Sequence, residues 1–115
     1  MTKDYGLEIN NSVVVKMASV ATLEIDGVAG LFSKNGGLVQ LLTKSNAERA
    51  IYVTKENDST EISIYISVKD GYDVREVAQN VQESVKSKLQ TMTGNAIEKV
   101  NVIVADVQFK EENNK

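Results

Sequence analysis

Between Asp73 and Phe109 the chain changes its hydrophobic period, and that change limits the possible folds more than any other feature of it. Val74, Val77, Ala78, Val81, Val85, Leu89 and Met92 recur at spacings of three and four, which lays one apolar stripe along a helix. Asp73 stands where a side-chain oxygen can cap the first-turn N–H groups, and Glu76 follows three residues later in the capping-box position. Gly94 can take the left-handed conformation that ends a helix. Val100, Val102 and Val104 then alternate with other residues, the period of a strand. A helix that runs straight into a strand, each with one face to bury, calls for a helical layer on a sheet.

The strongest β signal precedes that helix. Ile62, Ile64, Ile66 and Val68 alternate with Glu61, Ser63, Tyr65, Ser67 and Lys69, and Ile51 and Val53 alternate likewise. Glu56-Asn57-Asp58-Ser59 supplies a turn between the two runs, so a hairpin is expected. Matching the core faces sets Val53 against Ile64 and Tyr52 against Tyr65, with the tyrosines paired on the face away from the helices. In the last strand, strict alternation would bury Asp106, whereas Val107 and Phe109 resume the apolar phase one residue late. That predicts a bulge at Ala105-Asp106, because one extra residue flips the facing of everything after it. Ile103 falls on the tyrosine side.

Toward the N-terminus, Leu7 and Ile9 alternate as a short edge strand, and Ser12 is the expected N-cap of a helix over Val13–Ile25. Val14, Met17, Ala18, Ala21 and Ile25 keep helical spacing there, and nine of the thirteen residues are apolar. Such a helix needs burial on more than one side, either deep in the core or against another subunit. Asp26-Gly27 ends it, Val28–Phe32 reads as a strand, and Leu38, Leu41 and Leu42 suggest a helical turn or two. The expected fold is therefore α+β: a two-layer sandwich with a mixed or antiparallel sheet of about four strands and two main helices on one face. Residues 1–109 form a single domain, and the polar tail 110–115 lacks any apolar anchor and is expected to be disordered.

Composition narrows the chemistry. With 115 residues, the chain can bury roughly two-thirds of its unfolded surface, enough for one core. It contains neither cysteine nor histidine, which removes disulfides, thiolate chemistry and the usual general base near neutral pH. No serine sits in a nucleophile-elbow context and no carboxylate pair is singled out, so the chain is expected not to be an enzyme and to use no cofactor or metal. Net charge is −3 and the lysines are scattered; the densest pair, Lys86 and Lys88, lies late in the long helix, where it complements the helix dipole. Gly27-Val28-Ala29-Gly30 has the spacing of an RNA-clamping GxxG loop, but Glu24 and Asp26 flank it, and turn-and-strand glycines are the better reading. Gly36-Gly37 has no Gly-Lys-Ser/Thr after it, and Glu56, Asn57, Asp58 and Glu61 lack the ligand spacing of a calcium loop. No apolar run reaches the length of about 18 residues that marks a membrane span, and the N-terminus lacks the apolar core of a signal peptide.

What remains is surface. Apolar residues in excess of one buried stripe mark Val13, Val15, Val20 and Leu23 on the first helix, and Tyr52, Tyr65 and Ile103 on the sheet, as a candidate interaction surface. For the tyrosines two readings stand: an interface, or simply good β-propensity.

The motifs also resemble a known family. Val77-Ala78-x-x-Val81-Gln82-x-x-Val85, then Met92-Thr93-Gly94, then Val100-Asn101-Val102-x-Val104-x-x-Val107-x-Phe109, together with Ala21-x-x-Glu24-Ile25-Asp26-Gly27-Val28-Ala29-Gly30-Leu31, is similar to the alkaline shock protein family of Gram-positive bacteria, which includes the Gls-type general stress proteins. The resemblance spans Tyr5 to Phe109; the family's Tyr-Gly pair before the long helix is inverted here, as Gly71-Tyr72. It implies a small cytoplasmic protein of the envelope stress response with no established catalytic residues. Some members are held at the membrane by a separate small anchor protein, which implies action by protein–protein interaction without direct membrane insertion; the apolar surplus of the first helix adds an expectation of self-association, and the acidic balance argues against nucleic-acid binding. Other members are linked to fatty-acid metabolism, which implies as an alternative a regulator of fatty-acid or acetyl-CoA metabolism that binds a pathway enzyme.

Overall fold

The computed structural model describes residues 11–33, 38–39, 49–56, 59–93 and 99–109. The elements run α1 (Asn11–Leu23), β1 (Val28–Phe32), β2 (Leu38–Val39), β3 (Ile51–Glu56), β4 (Ser59–Lys69), α2 (Val74–Thr93) and β5 (Lys99–Gln108). The five strands form one mixed sheet in which β4 is central. Tyr65 donates its amide to Ala50 O and Lys69 to Gly27 O, so β3 and β1 share one edge of β4, end to end. Asp70, of the opposite parity, donates to Gln108 O on β5 along the other edge. β1 and β3 run antiparallel to β4, and β5 runs parallel to it. Parallel neighbours need a long crossover, and the twenty residues of α2 supply it.

The period-2 pattern of β4 decides the layers. Ile62, Ile64, Ile66 and Val68 are fully buried under the helices, each side chain worth about 1.5–3 kcal/mol in burial. From α2 come Val77, Val81, Val85 and Leu89, one per turn; from α1 come Val14, Val15, Ala18 and Ala21. Asp73 caps α2 as expected: its Oδ1 accepts from the amides of Arg75 at 3.0 Å and Glu76 at 3.2 Å. Val74 and Met92, at the two ends of the expected stripe, are exposed instead.

The expected α+β sandwich, with two helices on one face among the described residues, is what the chain forms, and four local expectations are corrected. α1 starts two residues earlier than expected, so Ser12 lies inside the helix rather than capping it. Val53 opposes Ile62 and Tyr52 opposes Ser63, a shift of two residues that preserves every facing and so leaves no trace in the pattern. Leu38 begins a two-residue strand, not a helical turn. Val15 is 3% exposed and belongs to the core. The bulge does fall between Val104 and Asp106: Ile66 pairs with Val104, Ser67 with Asp106 and Val68 with Val107. Leu7, Ile9, Leu41, Leu42, Gly94 and the tail 110–115 lie outside the described residues.

Candidate interaction surfaces

The outer face of the sheet carries a short aromatic band. The rings of Tyr52 and Tyr65 meet edge to face, with centroids 5.9 Å apart and planes at 85°. They touch as diagonal neighbours, because Tyr52 sits opposite Ser63. Tyr52 Oη donates to Arg49 O at 2.8 Å, which fixes the ring's tilt. Tyr65 lies directly beside Ile103 of β5. The band thus crosses three strands, β3 to β5, and all three side chains are half-buried.

Polar pairs flank the band on both sides. Asn101 Nδ2 donates to Glu61 Oε2 at 2.6 Å and to Ser63 Oγ at 3.4 Å. At the other end Ser67 Oγ, fully buried, donates to Asp106 Oδ2 at 2.8 Å. The bulge makes that bond possible, since unbroken alternation through Ala105 would turn Asp106 toward the helices. Both pairs join β4 to β5 and so fix the register of the parallel pair.

The helix α1 presents a second patch on the opposite side of the sandwich. Val13 and Val20 are exposed, two turns apart, with Lys16 exposed between them. Leu23 is half-buried against the core, and Val15 faces inward. The buried hydroxyls of the inner face are satisfied within the helix: Thr22 donates to Ala18 O at 2.7 Å and Ser19 to Lys16 O at 2.8 Å. The seven residues marked in the sequence therefore do not meet in one place. Three form the sheet band, two the helix patch, one lies between patch and core, and one is interior.

Two features at the edge of the sheet lie outside that selection. Phe109 is 72% exposed, the most exposed large apolar side chain among the described residues. Its phase, two residues after Val107, puts it on the helix side of β5. At the other end of β5, Gln82, Glu83, Lys86, Lys99 and Val100 line a groove of about 300 Å³ between α2 and the strand. Gln82 Nε2 donates to Val100 O there at 2.9 Å. The signal for Phe109 was present in the sequence: an aromatic residue at the very end of a strand, followed by a polar tail, has little left to pack on.

The glycines of the GxxG-like stretch have structural roles. Gly27 has φ +97° and turns the chain out of α1, and Gly30 pairs with Ser67 inside the sheet. Lys88, on the last turns of α2, reaches Glu24 at 3.0 Å; both side chains are well exposed, so the pair contributes little. Among the described residues no three acidic, histidine or cysteine side chains gather as a metal site, and no helix is long and apolar enough to cross a membrane.

Comparison with known proteins gives three consistent results. The model of the alkaline shock protein family, described as having a cell envelope-related function, matches residues 1–109. The chain is 36% identical over 110 residues to the uncharacterized protein YloU of Bacillus subtilis, covering 93% of this chain and 92% of that one. It is 30% identical over 115 residues to the uncharacterized protein Spy1614 of Streptococcus pyogenes, covering 97% and 95%. Among solved structures, a variant of the MamM CTD superposes with a TM-score of 0.57 at 15% identity, covering 91% of this chain and all (100%) of that one. At that identity the likeness concerns the fold.

Proposed function

Because the chain belongs to the alkaline shock protein family, whose function is cell envelope-related, we propose that it is a non-enzymatic protein of the envelope stress response. In this reading it works by binding another protein at the cytoplasmic side of the envelope and by associating with itself. The observation that carries the reading is the band of Tyr52, Tyr65 and Ile103. An aromatic pair held in fixed geometry on the outer sheet face, beside an aliphatic residue and fenced by satisfied polar pairs, has the make-up of an interface core with a polar rim. The partner class is a small membrane protein able to hold this chain at the membrane.

The test is in-cell crosslinking and affinity capture of the tagged chain, with membrane and soluble fractions analysed separately, for the wild type and for Tyr65→Glu. The expected result is a small membrane protein recovered with the wild type and lost with Tyr65→Glu, the variant remaining folded by circular dichroism. Recovery of a soluble enzyme of fatty-acid or acetyl-CoA metabolism as the main partner would replace this reading with that of a metabolic regulator. Equal recovery of the membrane protein with Tyr65→Glu would refute the assignment of the surface.

A further inference from the structure

We propose that two copies of this chain associate through β5, pairing antiparallel across a two-fold axis at Ile103, so that Phe109 of each copy enters the groove between α2 and β5 of the other. The inference rests on the self-association in the reading above and assigns its interface.

Three observations lead to it. First, β5 is ten residues long, and among the described residues only one of its edges is paired, the one on β4. An edge strand of that length, with half-buried Val102, Ile103, Val104 and Val107 on its two faces, is a template for another strand. Second, the strand is complementary to itself. With Ile103 opposite its own copy, Val102 faces Val104, Val100 faces Val107 and Lys99 faces Gln108. The bulge does not interrupt this: Ala105 and Asp106 together oppose Asn101, as two residues oppose one in any bulged pair. The valines meet valines on the helix side.

Third, the strand carries a protruding group at one end and a recess at the other. Phe109, 72% exposed, and the groove lined by Gln82, Glu83, Lys86, Lys99 and Val100 both lie on the helix side. They are separated by the length of β5, roughly 30 Å at strand rise, so a chain cannot fill its own groove with its own Phe109. An antiparallel partner reverses the strand and brings the two together twice, once at each end, which is the signature of an isologous interface. The phenyl ring would rest on Val100 and on the aliphatic stems of Gln82 and Lys86.

The same register joins the outer faces. A two-fold axis normal to the sheet keeps the helices of both copies on one side. Ile103 then lies against its copy, and Tyr52, Tyr65 and Ile103 of each chain become halves of one continuous band.

The absence of native cysteine allows a direct test. Residues opposite themselves in an antiparallel pair have Cα atoms about 4.5–5.5 Å apart, within disulfide range. Ile103→Cys in the full chain should therefore form a covalent dimer under mild oxidation, and Val20→Cys on α1 should not. Light scattering after size exclusion should give twice the 12.6 kDa mass of the chain for the wild type and the single mass for Phe109→Glu. A monomeric wild type at high micromolar concentration would overturn both the interface and self-association. A dimeric wild type in which Ile103→Cys fails to crosslink, or in which Phe109→Glu remains dimeric, would overturn the interface and leave self-association standing.

Discussion

Gly27 is the position where a single methyl group should do the most damage. Its φ of +97° is a conformation that L side chains rarely adopt, and a Cβ built there would lie 2.7 Å from Tyr72 Cδ2 and 2.7 Å from Val77 Cγ2. Gly27→Ala thus incurs two separate costs. The backbone term is about 1–2 kcal/mol, and overpacking against the first turn of α2 adds about 1–3 kcal/mol. The lower entropy of the unfolded alanine chain returns about 0.4–1 kcal/mol. At the midpoints of these ranges the net loss is about 3 kcal/mol, a large share of the roughly 5–15 kcal/mol that holds a domain of this kind together. Gly71 is the internal control: its φ is +94°, and a Cβ there meets nothing within 4 Å. Gly71→Ala should show only the backbone term, about 1 kcal/mol after the entropy gain. Urea unfolding followed by far-ultraviolet circular dichroism measures both. Adding Tyr72→Ala to Gly27→Ala should recover part of the loss, because the Val77 contact remains. If Gly27→Ala costs no more than Gly71→Ala, the close packing of the α1–β1 turn on α2 is not what holds that junction.

Other expectations follow from the register of β4 on β5. Asp106→Ala leaves the buried Ser67 hydroxyl without its acceptor and should cost about 1–3 kcal/mol, whereas Ser67→Ala combined with Asp106→Ala should unfold closer to the wild type; equal losses for both would remove this pair as a determinant of register. Deleting Ala105 should be tolerated, since Val104, Asp106 and Val107 then alternate without a bulge and keep their facings. A loss as large as a core truncation, about 2–5 kcal/mol by thermal or urea unfolding, would show that the bulge itself is required. Asp73→Ala removes the cap of α2 and should lower stability by about 1 kcal/mol in the same assay, with Asp73→Ser recovering most of it.

The layers were legible in the sequence because side-chain period maps directly onto burial. Ile62 to Val68 and Val77 to Leu89 carry periods of 2 and about 4 with no conflicting residue, and the displaced phase of Val107 and Phe109 exposed even the bulge. Pairing was less legible. Sliding β3 by two residues against β4 leaves every apolar residue on the same face, so hydrophobic pattern alone cannot distinguish Tyr52 opposite Tyr65 from Tyr52 opposite Ser63. The parallel direction of β5 could have been read from the length of the helix before it, since an antiparallel neighbour needs only a turn. On α1 the difficulty was surplus: with eight apolar residues in thirteen, composition does not say which ones face out, and Val15 lies inward next to Val14. The groove is a property of how the middle of α2 lies over the start of β5, which no local pattern encodes, whereas the exposure of Phe109 could have been read from its place at the end of the strand.

The central strand also determines how the candidate surfaces can act together. Its strict alternation sends the helices to one face and the tyrosines to the other, so Val13 and Val20 cannot share a small flat partner with Tyr52 and Tyr65. The sheet band alone is three side chains wide, and pairing through β5 would double it. That makes partner capture and self-association separable by one substitution. Phe109 lies on the helix side at the end of β5, away from the band, so Phe109→Glu alters no residue of the aromatic surface. If the partner reads the doubled band, Phe109→Glu should reduce capture of the membrane protein as strongly as Tyr65→Glu does, because halving a bivalent surface forfeits its avidity, typically about 10²–10⁴-fold. Capture measured against protein concentration for the two variants decides the matter. Full capture by a monomeric Phe109→Glu would mean that one copy's three side chains suffice and that self-association serves another end.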